Sequence, residues 1–382
     1  MTKLFIVEAK RTPQGRFLGA LAKWSAADLA KEAGRETLKK VAPRDIDQVI
    51  IGNVISAGQG MNIARQIGVG LGVPVERPAC TVNMMCASGM QAVILAGQAI
   101  LAGDANAILC GGTESMSRAP YLLDRARAGY KLGDGVLMDS ILRDGLTDAF
   151  SGKHMGITVE ALAEKYEINR VAQDAFALQS QQKYADAQAR QVFHDEIVPV
   201  DNLAQDEHPR PDVTMEKLST MKPVFKPNGS ITAGNASGIN DAAAMLVVCN
   251  ETMLAQKGWT PLARIAGWSA VGCEPAQMGL GPVYATRALC QRLGLTVADF
   301  DVIELNEAFA AQTLACIKEL NLKADRVNPN GGAIALGHPI GASGARLLVH
   351  LAHRIARREI GKALATLCVG GGMGSAVMLE KV

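Results

Sequence analysis

The sequence predicts an α/β fold assembled from two similar halves around one large insertion. Three observations carry that expectation. Strand-like apolar runs alternate with long helical runs, short patterns recur in the same order in both halves, and residues 118–237 have no counterpart in the second half. Strands alternating with helices imply a mainly parallel sheet with helices on its faces.

Along the chain, Leu4-Phe5-Ile6-Val7 reads as a first strand. The turn Ala42-Pro43-Arg44-Asp45 leads into Gln48-Val49-Ile50-Ile51-Gly52, a short apolar run of the kind a buried strand shows. Ala87-Ser88-Gly89 then opens an alanine-rich helical stretch to about Ala102, with the helix proper expected from near Met90. The strand Ala107-Ile108-Leu109-Cys110 follows and ends in Gly111-Gly112. The series returns as Val297-Ala298-Asp299 before Val302-Ile303-Glu304-Leu305, then Ala342-Ser343-Gly344 with a helix to about Ile355, then Ala365-Thr366-Leu367-Cys368-Val369-Gly370-Gly371. Any one match is unremarkable, but all of them in order argue for a duplicated α/β unit. The insertion is richer in charge, carries a helical run over Val171–Arg190, and is expected to lie over one end of the first half, where lids sit. The domains are then 1–117 with 238–258, the inserted 118–237, and 259–382.

Composition narrows the partners. A formal net charge of +2 over 382 residues gives no bulk attraction to nucleic acid or to a membrane surface. The N-terminal run lacks a signal-peptide pattern. No apolar run is expected to reach the roughly 18 residues of a membrane span. The eight cysteines form no CxxC pair and no HExxH occurs, so no metal site is expected. Cysteines scattered in this way suit a reducing, cytoplasmic compartment.

Two cysteines and one histidine stand among glycines, and together they suit acyl transfer through a thioester. Cys86 precedes a helix N-terminus, whose free N–H groups lower a thiol pKa and can hold an oxyanion. A buried structural cysteine is the alternative. His338 lies in Gly337-His338-Pro339-Ile340-Gly341, a stiff loop before a helix that suits a positioned imidazole or, equally, one structural hydrogen bond. The other histidines read as solvated or capping residues, with His154 a possible exception. Cys368 ends a strand before Gly370-Gly371-Gly372, whose N–H groups can form an anion nest, whereas Cys110, in the matching place, reads as structural. Asn306 follows a strand end, suited to holding a water or oxyanion or to capping a helix. Glu307 can support that helix or orient a loop.

Cys86-Ala87-Ser88-Gly89, Asn306-Glu307-Ala308-Phe309, Gly337-His338-Pro339 and Cys368-Val369-Gly370 resemble the four signatures of the thiolase family. The resemblance runs from Glu8-Ala9-Lys10-Arg11-Thr12-Pro13 to the C-terminus. It implies a five-layer α-β-α-β-α core of two duplicated halves with an inserted loop domain, in a homo-oligomer that is a dimer of dimers. It implies that Cys86 is the acylated nucleophile, His338 its base and later a donor to the thioester oxygen, and Cys368 the acid/base at the α-carbon. Asn306 would hold the water of one oxyanion hole, and the N–H groups of Cys86 and Gly370 would form the other. The reaction implied is a reversible Claisen condensation of two acetyl-CoA to acetoacetyl-CoA, with coenzyme A part of the substrate and no separate cofactor.

Among substrate contacts, Ser237 resembles the residue along pantetheine and Arg210 a contact for the adenine end. His154 and Met155, with Met278 and Phe309, resemble a crowded short-chain acyl pocket. The family also holds β-oxidation 3-ketoacyl-CoA thiolases of broader chain length, and a non-catalytic acyl-CoA or lipid carrier is a rival from another class. Two places depart from the family pattern. Met84 stands where a basic residue is common, and the stretch around Asp201–Asp206 is short and poor in basic residues.

Overall fold

The computed structural model describes residues 2–382. The first half runs β1 (Leu4–Arg11), β2 (Gly15–Arg16), α1 (Ala26–Thr37), β3 (Gln48–Gly52), α2 (Ile63–Gly70), β4 (Ala79–Val82), α3 (Ser88–Ala102) and β5 (Ala107–Ser115). The insertion holds a small hairpin, β6 (Tyr121–Leu123) with β7 (Leu137–Asp139), then α4 (Met155–Lys165), α5 (Arg170–Ala189) and α6 (Met215–Ser219). The chain rejoins the first half through β8 (Asn240–Asn250) and α7 (Glu251–Lys257). The second half follows as β9 (Ala263–Gly272), α8 (Gly281–Leu293), β10 (Val302–Leu305), α9 (Ala310–Leu320), α10 (Ala333–Leu336), α11 (Ile340–Ala356), β11 (Lys362–Val369) and β12 (Met373–Glu380).

The strands form one sheet in the order β10-β11-β12-β9-β1-β8-β5-β3-β4, with β2 beside β8. Its halves join where β1 pairs with β9 over Leu4, Phe5 and Ile6. The duplication is visible in the pairing. In the first half β3–β5 is parallel while β5–β8 and β8–β1 are antiparallel; β10–β11, β11–β12 and β12–β9 repeat that sequence. The expected mainly parallel sheet is therefore a mixed one. Helical crossovers give the parallel pairs, but β11 turns straight into β12, and a tight turn leaves only an antiparallel neighbour.

Period-2 alternation builds the layers. Leu4 and Ile6 of β1 pack against α3 and α11, while Phe5 and Val7 pack against α1 and α2 on the other face. In the second half Leu367 and Val377 join the α3–α11 core, and Leu364, Ala376 and Met378 pack outward against α8 and α9. The layers are helix, sheet, helix, sheet, helix. Residues 85–102 are, contrary to expectation, long and apolar enough to cross a membrane; here most of that stretch is α3, sandwiched between the two halves of the sheet.

The insertion also departs from expectation. Its helices pack on the second half, α5 against α9 and α10, and α4 against α9. Asn169 caps α5, its Oδ1 accepting from Ala172 N–H at 2.9 Å, so the helix starts at Arg170. A buried ionic knot ties the insertion back to the core. Arg11 of β1 meets Glu196 at 2.7 Å and Asp206 at 2.6 Å, and His350 of α11 meets Glu196 at 2.8 Å. Asp206 comes from the short stretch flagged in the sequence, so that stretch has a structural task.

The recurrent Ala-Ser-Gly has a packing cause. A Cβ on Gly89 would lie 2.8 Å from the Gly341 carbonyl and 2.9 Å from the Ala345 side chain; one on Gly344 would lie 2.7 Å from the Met90 side chain. The two contacts are reciprocal, so α3 and α11 cross at their N-terminal turns with no room for a side chain. Gly89→Ala is expected to destabilise the fold by about 1–3 kcal/mol in urea titration, as overpacking does. Gly272→Ala, whose Cβ would find its nearest atom 4.0 Å away, should stay within about 0.5 kcal/mol of the parent.

Candidate active site

Cys86 sits in the loop between β4 and α3, which begins at Ser88 rather than near Met90. The loop is tied by the Ser88 hydroxyl, which accepts from Met84 N–H at 2.9 Å and donates to the Met85 carbonyl at 2.7 Å. Met85 takes a left-handed backbone, φ 47°. The N–H groups of Gly370 and of Cys86 itself face the Cys86 sulfur and favour its thiolate, but burial outweighs them, with Glu114 adding to it. The thiol is pushed up to about 11, so the expected lowered pKa does not survive desolvation in the substrate-free site.

His338 precedes α11 and is buried. Its N–H donates to Asn240 Oδ1 at 2.9 Å, and Asn240 Nδ2 donates to the Gly15 carbonyl at 2.8 Å. The start of β8 thus clamps the histidine loop. Burial, helped by the Arg346 cation, pushes the imidazole down to about 4, leaving it neutral at physiological pH. The adjoining Gly341 N–H donates at 2.9 Å to Glu114, whose carboxylate also accepts from Val54, Ile55 and Asn53. Glu114 therefore braces the histidine loop against the β3 end.

Cys368 lies on β11, 2% exposed, facing away from the α3–α11 layer and packing with Met155, Met278 and Phe309. Its thiol is held well above the usual range by burial, with further upward pushes from Cys86, Cys316 and Cys273. Cys110 instead packs inside the α3–α11 core. The expected equivalence of the two cysteines fails: β5 runs on to Ser115, Cys110 pairs with Ile50 in mid-strand, and Cys368 lies beyond the last β10 partner, Thr366, on the opposite face of its strand. After Cys368 the chain turns through Gly370-Gly371-Gly372. Gly372 has φ 86° and no space for a Cβ, which would sit 2.5 Å from the Cys273 carbonyl.

One cavity of about 510 Å³ collects these groups. Cys86, His338, Cys368 and Gly370 line its floor side, and Ser237, Arg210, His154, Met155, Met278 and Phe309 line it as well. Ser237 is carried there by a bridge between Ala236 and Phe309 and by its N–H bond to the Ala308 carbonyl at 3.0 Å. His154 caps α4, with Nδ1 accepting from Gly156 N–H at 3.0 Å, and its ring stacks on Phe225 at 4.5 Å. Asn306 is the exception among the expected residues. It is fully buried two positions before Ala308, does not line the cavity, and neither amide atom bonds a protein group among the described residues. It is no helix cap either, since α9 starts after Phe309.

Comparisons with known proteins agree with this geometry. The family model for the thiolase N-terminal domain matches residues 4–252, and that for the thiolase C-terminal domain matches residues 259–381. The chain belongs to the thiolase family. An acetyl-CoA acetyltransferase of Escherichia coli is 50% identical, with 100% of both chains covered, and one of Chromobacterium violaceum is 51% identical over 98% of this chain and 99% of its own. The mitochondrial 3-ketoacyl-CoA thiolase of Bos taurus is 44% identical, covering 99% of this chain and 98% of its own. The crystal structure of human mitochondrial 3-ketoacyl-CoA thiolase in complex with CoA superposes with a TM-score of 0.97 at 43% identity, covering 100% of this chain and 98% of that one.

Sequence reasoning on this thiolase missed several cavity residues and misjudged most histidines. Arg16, Phe17 and His208 line the cavity, yet Arg16 ends the short β2, Phe17 follows it and His208 stands in a loop, all remote from every signature. His208, His350 and His353 are buried, not solvated: His350 bonds Glu196, and His353 Nε2 lies 2.7 Å from the Ala9 carbonyl. Glu307 orients a loop, accepting from Ser180 at 2.7 Å, Asn328 at 2.8 Å and Ile334 N–H at 3.2 Å.

With Cys86 near 11 and His338 near 4, thiol and imidazole are both neutral in the free site. Alkylation of Cys86 by iodoacetamide, followed by peptide mass analysis, should therefore accelerate continuously from about pH 7 to about pH 10. A plateau already reached below about pH 7 would mean a preformed thiolate–imidazolium pair.

Proposed function

We propose that this chain catalyses reversible Claisen condensation of two acetyl-CoA to acetoacetyl-CoA and CoA, and thiolysis of short 3-ketoacyl-CoA, through an acyl group on Cys86. The observation that carries the reading is the convergence of two thiols, one neutral imidazole and the Gly370 N–H on one cavity. A carrier needs none of these. Coenzyme A would enter this cavity as part of the substrate, and the proposed reaction needs no separate cofactor. Both thiols must stay reduced for this chemistry, which favours a reducing, cytoplasmic setting.

The protons balance as follows. Cys86 attacks the thioester carbonyl as His338 takes its proton, and the N–H groups of Cys86 and Gly370 hold the oxyanion. The departing CoA thiolate takes a proton from Cys368, leaving a Cys368 thiolate beside an imidazolium. A thiolate whose parent acid is weak is a strong base, and burial makes Cys368 such an acid. It removes the α-proton of the second acetyl-CoA, while His338 stabilises the enolate oxygen. Asn306, buried two residues before the cavity-lining Ala308 with both amide atoms unpartnered among the described residues, would hold a water directed at the same oxygen. The enolate attacks acyl-Cys86, and the released Cys86 sulfur recovers its proton from His338. His154, with Nδ1 occupied as an acceptor, presents Nε2–H as a donor to the bound thioester or pantetheine. Ser237 and Arg210, which line the same cavity, would contact the CoA moiety.

Met155, Met278 and Phe309 pack around Cys368 and narrow the acyl end, which supports a short chain. Broader chain length is the second reading, supported by the apolar Phe17, Leu142 and Val224, which continue along the cavity wall. Two surfaces support a dimer of dimers. β4 is a sheet edge with an open row of backbone groups, and the β6–β7 hairpin exposes Tyr121, Leu123, Leu132, Val136 and Leu137.

Incubation with acetyl-CoA should add one acetyl group to the protein, seen by intact mass. Cys86→Ala should abolish that adduct, while Cys368→Ala should still acylate and lose condensation by at least about a hundredfold. An unacylated parent that nevertheless binds acetyl-CoA would favour the carrier, and faster turnover of C8 than C4 3-ketoacyl-CoA would overturn the short-chain reading. Leu132→Glu should split tetramers into dimers in sedimentation velocity without breaking the dimer.

A further inference from the structure

His338 can serve as a base only through a nitrogen that carries no hydrogen and opens to the cavity. Its Nδ1 lies 2.6 Å from the Ser343 Oγ. That hydroxyl is also 2.9 Å from the Pro339 carbonyl, four residues earlier. A serine has one hydroxyl hydrogen and a carbonyl can only accept, so the hydrogen goes to Pro339 and the Ser343 oxygen is left to accept. Nδ1 must then be the donor. Nε2 bonds no protein group among the described residues, and His338 lines the cavity.

We propose that Ser343 is a positioning residue that fixes His338 as its Nδ1–H tautomer and so reserves the Nε2 lone pair for the thiol of Cys86. The assignment rests on the reading of His338 as the base given above. It separates two of the cavity's three imidazoles by task. His154 is held in the opposite tautomer, with Nδ1 accepting from Gly156, and offers a hydrogen; His338 offers a lone pair. The repeat gives the inference a second support. Ser343 and Ser88 are the serines of the two Ala-Ser-Gly segments, and Ser88 uses both functions of its hydroxyl to tie the Cys86 loop. One duplicated serine holds the nucleophile's loop and the other holds the base. Ser343 is buried in the first turns of α11, where its rotamer is set by packing.

Neutron diffraction from deuterium-exchanged crystals of the intact enzyme tests the tautomer directly. Deuterium is expected on Nδ1 of His338, pointing at Ser343, with Nε2 bare; deuterium on Nε2 with Nδ1 bare overturns the proposal. Kinetics test the consequence. Ser343→Ala should slow both Cys86 acetylation and thiolysis of acetoacetyl-CoA by about ten- to a hundredfold, within the range removal of an acid–base group costs, while KM moves less than about threefold. Ser343→Thr, which keeps the hydroxyl, should recover most of that loss. Acylation by Ser343→Ala at the parent rate overturns the proposal, and if that variant does not fold the deuterium position decides alone. His338→Ala distinguishes the two levels. If it acylates normally the base assignment itself falls, whereas a slow His338→Ala beside a normal Ser343→Ala removes only the role of the serine.

Discussion

The crossing of α3 and α11 at Gly89 and Gly344 fixes the separation of Cys86 and His338. Cys86 stands just before one helix and His338 just before the other, and the two helices touch at their first turns. Any side chain at the crossing would push the loops apart, and an acyl-transfer site loses much of its rate when reacting atoms move by about an ångström. Everything outside the crossing reinforces it. Glu114 ties the α11 entry to the β3 end, Asn240 holds the His338 N–H, and the Arg11–Glu196–His350 knot links α11 to the insertion that closes the cavity. That separation is set by the close-packed α3–α11 crossing beneath the loops that carry the side chains.

Burial gives that site its electrostatic character. Both thiols are weak acids and the imidazole is a weak base, each displaced by desolvation toward its neutral form. The charged side chains of the cavity wall are Arg16 and Arg210, while the thiols and the His338 imidazole add no charge of their own. In the proposed reaction, charge develops when a thioester enters and its carbonyl oxygen meets the N–H groups of Cys86 and Gly370. The low dielectric that suppresses the resting thiolate strengthens those contacts once the oxyanion forms.

Much of this was legible in the sequence, for physical reasons. The duplicated segments were readable because strands and helices alternate with constant order, and the helix bounds fell within a few residues of those observed. Cys86, His338 and Cys368 stood out because reactive side chains were placed among glycines. The sheet's direction was not legible, since alternation does not record whether a strand returns through a helix or through a three-glycine turn. Nor was the standing of His350 and His353, because a helix carrying histidines reads as surface unless its neighbours on both sides are known. Arg16 reaches the cavity through the pairing of β2 with β8 and His208 through the docking of the insertion, and neither long-range contact leaves a local pattern.

The repeat also shows why the two cysteines have different surroundings. Cys110 stands in the middle of β5, paired with Ile50, whereas Cys368 stands near the end of β11, beyond its last β10 partner at Thr366, so Cys110 faces the helical layer and Cys368 faces the cavity. A strand alternates its faces residue by residue, so an odd offset between the two positions moves a thiol from sealed core to cavity wall without altering the fold. The serines kept the same position in both halves and took complementary tasks at the two helix starts. Duplication supplied a symmetric scaffold, with two helix starts brought together by matching glycines. The chemistry then depended on where symmetry was broken: a cysteine loop before one helix, a histidine loop before the other, and a second thiol turned outward on a single strand.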